Sequence, residues 1–376
     1  MALEMRAPRS SPCASLASNI CETLGIRHEG RGAFSHSVTI YFTADLSRFL
    51  RDNPWSLIYI NNPTLRGFFR LNRTATAGFF AVHIVGDPAA DPDAAANAAA
   101  DVSEARLIAL VRAGAGDPDL PVRIDGFSRW RATASVARRF RDGRVFIAGD
   151  AAHVMPPNGG FGGNTGIHDA HNLAWKLALV LGGQANAALL ESYERERRPV
   201  CRFIVEQAFS RYVARTAPWL TASTRPDPLI DDFEIELGTL YDVPESPHAD
   251  PHSTCGRPGS RLPHFWLQRE GKRISTIDLT GRHLLLAGTD GAAWMDAAEA
   301  LRPSFQGLPF EALRMGKDLD DPEQRYRQAF GISGGGATLV RPDGFVAWRS
   351  PLAVGDAASA LRKALHESLA LGGPLR

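Results

Sequence analysis

The chain has 376 residues, with 42 Lys and Arg against 41 Asp and Glu for a formal charge of +1. Hydrophobic residues make up 44% and charged residues 22%, the composition of a globular protein with two or three domain cores. The balance excludes a disordered, collagen-like or disulfide-framework chain and argues against nucleic acid as a partner.

The four cysteines form no C-x-x-C pair, which removes a zinc site of that type and a dithiol redox centre. No apolar run reaches the length of a membrane helix, and the opening MALEMRAPRSSPCASLASNI lacks the continuous apolar core of a secretory signal. A cytoplasmic location with no membrane partner is the expectation.

In chain order, residues 1–21 are an atypical N-terminal segment. Four runs rich in β-branched and aromatic residues follow: SVTIYFTADL (37–46), WSLIYIN (55–61), GFFRLNR (67–73) and GFFAVHIVGD (78–87). Separated by short polar or Pro/Gly breaks, they predict an antiparallel meander. Residues 88–101 read as a surface loop, 102–113 as a short helix, and 122–135 as a long strand. RVFIAGD (144–150) predicts a buried parallel strand over 144–148 that enters a functional loop. Residues 165–181 predict a helix apolar nearly all round and hence buried, ended by Gly182-Gly183. A second helix over 187–213 carries YERERRP and is bent or interrupted at Pro199. Residues 217–261 read as a linker. A small α/β unit spans 262–376, with strands at 274–279, 283–287, 310–314, 337–340 and 345–348 and helices at 294–301, 322–330 and 357–369.

The chemistry lies in GDAAHVMPPNGGFGGNTGIHDAHNLAWKLA, residues 149–178. Asp150 follows a strand, where a carboxylate can accept hydrogen bonds from polyol hydroxyls. Pro156 and Pro157 stiffen the next turn. Gly159, Gly160, Gly162 and Gly163 let the backbone approach a flat ligand closely. Asn164 or Thr165 is expected to cap the helix, whose N–H groups and positive dipole end face that ligand. A flat ring with negative charge at one edge suits this surface. His168, Asp169 and His171 mimic a metal cluster without H-E-x-x-H spacing, so no metal is expected. Arg195, Arg197 and Arg198 alternate with Glu194 and Glu196 and read as a salt-bridged helix face. No G-x-S-x-G supports a hydrolase.

This stretch resembles the second flavin-contact motif of the FAD-dependent aromatic hydroxylases, the p-hydroxybenzoate-hydroxylase-like class A flavin monooxygenases. YERERRP resembles the family's following helix segment. ATLVRPDGFVAWRS (337–350) resembles the last hairpin of the thioredoxin-like C-terminal domain in phenol-hydroxylase and polyketide-hydroxylase relatives. ETLGIRHEGRGAFSHSVTIYF (22–42) resembles the entry into the substrate-binding sheet.

The implied fold is mixed α/β (α+β): an incomplete Rossmann-like FAD-binding domain with an antiparallel substrate-binding sheet, plus a thioredoxin-like α/β domain. The implied domains are 22–135 for the sheet, 136–216 for the remaining FAD-binding part, 217–261 for the linker and 262–376 for the thioredoxin-like unit. The resemblance implies FAD as cofactor, contacted by Asp150, Pro157, Gly160, Gly162, Gly163 and Asn164, with Pro157 beside the reacting part of the ring as the catalytic candidate. It implies NAD(P)H as reductant and O2 as co-substrate, with a flavin C4a-hydroperoxide hydroxylating a phenolic or polyketide aromatic ring. Tyr41, Tyr59 and His83 on the sheet are the substrate-binding candidates. Without a C-x-x-C, the C-terminal unit implies a structural role or a homodimer.

The sequence departs from the family in two respects. No G-x-G-x-x-G follows a strand and opens a helix, and no Asp-Gly precedes the sheet; Gly30-Arg31-Gly32 has Ser35 where the third glycine belongs. The expectation is a chain that begins about one domain late, lacks most of the ADP site and exposes an apolar edge at 144–148. The alternative function is then a truncated, catalytically inactive remnant or a partner-binding module.

Overall fold

The computed structural model describes residues 19–50, 53, 55–62, 65–85, 102–243 and 245–371. The expected loop at 88–101 and most of the N-terminal segment lie outside them. The main elements in chain order are β1 (His28–Thr43), β2 (Leu57–Asn61), β3 (Leu65–Leu71), β4 (Ala77–Val85), α1 (Glu104–Ala115), β5 (Arg123–Ala137), β6 (Arg141–Asp142), β7 (Val145–Phe146), β8 (His153–Val154), α2 (Phe161–Leu181) and α3 (Glu191–Arg215). They continue with β9 (Trp266–Arg269), β10 (Lys272–Ser275), β11 (His283–Ala287), α4 (Ala292–Leu301), β12 (Phe310–Arg314), β13 (Ala337–Val340), β14 (Val346–Ser350) and α5 (Ala357–Ser368). The chain divides into two compact units. The first comprises Met1–Arg138, His153–Gly162 and Val205–Leu229; the second comprises Arg139–Ala152, Gly163–Ile204 and Ile230–Arg376.

The first unit is built on a six-stranded sheet of order β2-β3-β4-β1-β5-β8, antiparallel throughout. The meander expected from residues 37–87 is therefore present. β1 is longer than its apolar run, starting at His28, and its pairing with β5 shifts register at Gly30/Gly32, Ala33/Ser35 and Tyr41/Phe42. Such bulges let a polar, glycine-containing stretch stay in the sheet. Alternation sends Val38, Ile40, Phe42, Phe69, Phe80 and Val82 to one face, where Leu107, Leu110 and Val111 of α1 join them in a single core. Phe69 and Phe80 stack there at 4.1 Å.

The second unit contains a four-stranded sheet of order β12-β11-β13-β14. β11 and β12 are parallel, while β11–β13 and β13–β14 are antiparallel. This is the order and polarity of a thioredoxin-like sheet. Its two sides are covered by separate cores, one around Leu284, Leu286, Phe330 and Val340, the other around Leu285, Trp294, Leu339, Leu361 and Leu365. Residues 276–279, expected as strand, form a 3-10 turn after β10, held by a capping box between Ser275 and Asp278. The stretch read as linker contains a short helix, Asp232–Leu237, and bridges Leu240 to Ser260.

Four further expectations are corrected. Residues 144–148 do not form a parallel strand: only Val145–Phe146 is extended, and it pairs antiparallel with Arg141–Asp142. Among the described residues it has no parallel neighbour, so an apolar run alone does not make a strand. α2 begins at Phe161, before the expected caps, placing Gly162, Gly163 and Asn164 in its first turn. α2 is also not buried all round, since Ile167 is 66% and Leu181 62% exposed. Its buried stripe is Thr165, Asp169, Asn172, Leu173, Lys176 and Leu179, mostly polar. Pro199 does not interrupt α3, which runs continuously from Glu191 to Arg215.

Candidate functional site

Within the second unit, the segment entering Asp150 is held at two points. The Tyr193 hydroxyl donates to the Ile147 carbonyl at 2.8 Å, and the Gly149 N–H donates to Asp169 Oδ2 at 3.1 Å. Gly149 has φ +59° and opens a 3-10 turn, Gly149–Ala151. A Cβ on Gly166 would lie 3.2 Å from the Gly149 Cα, so turn and helix meet backbone to backbone. Asp150 is exposed at this turn.

Asp169 is fully buried and accepts from Arg197 Nε at 2.8 Å, and Arg197 is equally buried. Burial disfavours the Arg197 cation, but the negative charge beside it more than compensates and its pKa rises. Next to it on α3, Glu196 accepts from Lys176 at 2.8 Å, Asn172 at 2.7 Å and Arg341 at 2.7 and 2.8 Å. Arg341 also binds Asp343, which accepts from Trp175 Nε1 at 3.0 Å. Burial pushes the Glu196 carboxyl up, yet Arg341 and Lys176 outweigh it and hold it well below its usual range. Burial brings Lys176 down to about 8. The expected salt-bridged surface face is thus corrected. Arg195 does pair on the surface, with Asp242, but Glu196 and Arg197 turn inward. His168, with Asp169 part of the metal look-alike, is brought to about 4 by burial and the nearby arginines.

Within the first unit, β8 leads into the Pro-Gly loop. The Gly160 N–H donates to the Pro157 carbonyl at 3.1 Å and closes a turn. Gly159 has φ +93°, and a Cβ there would lie 2.4 Å from the Phe161 ring, so only glycine fits. A Cβ on Gly160 or Gly163 would meet nothing within 4 Å, and one on Gly162 only Met155 Cγ at 3.7 Å. Pro157 and Gly160 are exposed, as are Gly163 and Asn164, which belong to the second unit. This open backbone starts a 21-residue helix, whose first-turn N–H groups lack intrahelical acceptors and carry its positive dipole end.

The sheet face opposite α1 is aromatic. Register places Tyr59, Phe68, Ala81, Thr39 and Ser128 in one cross-strand row and Phe79, Tyr41 and Gly126 in the next. Tyr59 is 5.9 Å from Phe68, Phe68 6.0 Å from Phe79, and Phe79 5.9 Å from Tyr41. Tyr41 and Tyr59 are 45% and 55% exposed, offering ring edges and hydroxyls to a flat ligand. His83 is on the same face but buried among Phe68, Trp130 and Tyr212, with Nδ1 3.1 Å from Ser37 Oγ. Burial lowers its pKa to about 4, so it is neutral near pH 7. Sequence reasoning missed Asp169, Tyr193 and Arg197 as supports of the Gly149–Asp150 turn. The only sequence signal for them was polar residues at helical spacing inside two otherwise ordinary helices.

Residues 13–208 match the family described as FAD binding domain, and residues 255–371 match the aromatic-ring hydroxylase C-terminal family. The chain is 46% identical over 361 residues to 4-methyl-5-nitrocatechol 5-monooxygenase of a Burkholderia species, covering 92% of this chain and 65% of that protein. It is 38% identical to tetracenomycin A2 monooxygenase-dioxygenase of Streptomyces glaucescens, covering 94% and 64% respectively. Among solved structures, aklavinone-11 hydroxylase in ternary complex with FAD and aklavinone matches with a TM-score of 0.86 at 37% identity, over 93% of this chain and 65% of that one. The flavin-dependent monooxygenase PieE, in complex with FAD and substrate, matches with a TM-score of 0.74 at 30% identity, over 94% of this chain and 68% of that one. The chain thus spans about two thirds of the length of these relatives. It belongs to the FAD-binding aromatic-ring hydroxylase family of flavin monooxygenases.

Proposed function

We propose that this chain binds FAD through the segment 149–164 and takes part in the hydroxylation of a phenolic or polyketide aromatic ring, with NAD(P)H as reductant and O2 as oxidant. The observation that carries the reading is the exposed glycine backbone opening directly into the N-terminus of α2. A flat ring can lie on that backbone, and the helix end favours negative charge at the ring's edge. Asp150, exposed after a clamped turn, would accept hydrogen bonds from the ribityl hydroxyls. Gly160, Gly162, Gly163 and Asn164 would offer contacts to the pyrimidine edge, and Pro157 would lie beside the reacting part of the ring. When bound, the flavin supplies the electron transfer and oxygen activation.

The protein's share is position. Tyr41 and Tyr59 would bracket the substrate ring through their exposed faces and hydroxyls. His83, neutral and fixed by Ser37, would act as a hydrogen-bonding group without adding charge. Relatives described as putative polyketide hydroxylases of Streptomyces halstedii and Streptomyces coelicolor, and the aklavinone-11 hydroxylase complex with FAD and aklavinone, support a substrate of this class. The test is to reconstitute the full chain with FAD, add NADH or NADPH and a panel of phenols and polyketide aromatics, and follow incorporation of isotope-labelled dioxygen into product. Labelled product supports the proposal. Flavin retention with no oxygen transfer to any substrate refutes it and leaves an inactive flavin binder.

A further inference from the structure

We infer that Asp169 is a positioning residue for the cofactor turn, with Arg197 as its anchor. The inference rests on the flavin reading above and extends it from the contacting residues to those that hold them. The Gly149 N–H donates to Asp169 Oδ2 at 3.1 Å, while Asp169 Oδ1 accepts from Arg197 Nε at 2.8 Å. Arg197 also donates to the Thr165 carbonyl at 3.4 Å and to the Tyr241 hydroxyl at 3.3 Å, which orients the guanidinium. Cys201 Sγ lies 3.6 Å from Asp169 Oδ1, and both residues are buried.

Each carboxylate oxygen thus has its own partner, one on α3 and one on the turn. A carboxylate held by Arg197 presents a fixed acceptor to the turn, which cannot move without either breaking the Gly149 hydrogen bond or drawing Asp169 away from Arg197. Tyr193, also fully buried, fixes the same segment two residues earlier through the Ile147 carbonyl. Between them Asp169 and Tyr193 set the backbone of residues 147–149 and leave the exposed Asp150 carboxylate as the outward group. Neither touches a reacting atom; they act through Asp150.

The test compares the full-length chain with Asp169→Asn and, as a second variant that keeps the ion pair, Gly166→Ala, whose new methyl would press on the Gly149 Cα from 3.2 Å. Amide hydrogen exchange is read without FAD, and FAD affinity by titration of the visible spectrum. The expected result is faster exchange confined to peptides covering 147–152, with β11 and β13 of the C-terminal sheet unchanged. FAD affinity should weaken by about tenfold or more, the factor that follows from losing one hydrogen bond to a charged group. Exchange that is unchanged over 147–152 in both variants, or that rises equally over the sheet, overturns the inference. So does a local loosening that leaves FAD affinity intact. If the unsubstituted chain takes up no FAD, the flavin reading fails, and the exchange result alone carries or refutes the positioning of the turn.

Discussion

Replacing Arg341 by methionine probes the buried charge network that ties α2 and α3 to the β13–β14 turn. Arg341 donates to both oxygens of Glu196, at 2.7 and 2.8 Å, and to both of Asp343, at 3.0 and 2.6 Å. Its side chain is 10% exposed, Glu196 3% and Asp343 1%. Methionine keeps the packing volume but leaves Asp343 with Trp175 alone, and Glu196 with Lys176 and Asn172. Breaking a buried pair from one side costs about 3–5 kcal/mol, because a charge is stranded away from water. With an unfolding entropy of roughly 2 cal/mol/K per residue, a chain of this length should lose about 4–6 °C in Tm by scanning calorimetry. If the network acts as a unit, Glu196→Gln added to Arg341→Met should cost less than the sum of the singles, by about 1 kcal/mol or more. A single substitution that costs under about 1 kcal/mol, or a strictly additive double, would refute the picture of one shared network.

Other outcomes follow from the same structure. Gly159→Ala should destabilise the Pro-Gly loop by about 1 kcal/mol or more, since it combines a positive φ with a Cβ 2.4 Å from the Phe161 ring, and limited proteolysis near residue 159 should accelerate. His83 and His283 are buried, and burial lowers both from 6.5 to about 4. The unfolded state therefore binds more protons through that window. Stability should be full above pH 6.5 and fall as pH drops toward 4, by about 3 kcal/mol per histidine. Urea unfolding at pH 7 and pH 5 checks this, and a His283→Gln variant whose pH slope matches that of the unsubstituted chain would contradict it. Phe80→Ala, at 0% exposure in the sheet core, should cost about 3–5 kcal/mol in the same assay.

Much of the fold was legible because its signals are local. Alternation of β-branched and aromatic residues between short breaks marks β2, β3 and β4, and Pro342-Asp343-Gly344 marks the β13–β14 turn. The glycine run and the flanking prolines were equally visible, since turn chemistry is written in single residues. The start of α2 was not. Glycine is a poor helix former, yet in a first turn, where no intrahelical N–H bond is lost, it costs little, so Gly162 and Gly163 could be helical. The buried polar stripe was hidden for a different reason. Thr165, Asp169, Asn172 and Lys176 look solvent-facing until Glu196 and Arg197 on another helix supply their partners. Residues 144–148 misled in the opposite sense. The Ile147 carbonyl goes to Tyr193 instead of to a strand.

The proposed function rests on segment 149–164 as the surface that holds an isoalloxazine ring. The most direct test is to mix the purified full chain with FAD, remove unbound flavin and record the visible spectrum, with Gly163→Val in parallel. A Cβ on Gly163 points into open space, so the valine should leave folding largely intact while filling the proposed ring surface. The expected result is a flavin band that stays with the unsubstituted protein and is lost or much weakened in the variant. A chain that retains no flavin, or a variant that retains it equally well, would rule out segment 149–164 as the ring's binding surface.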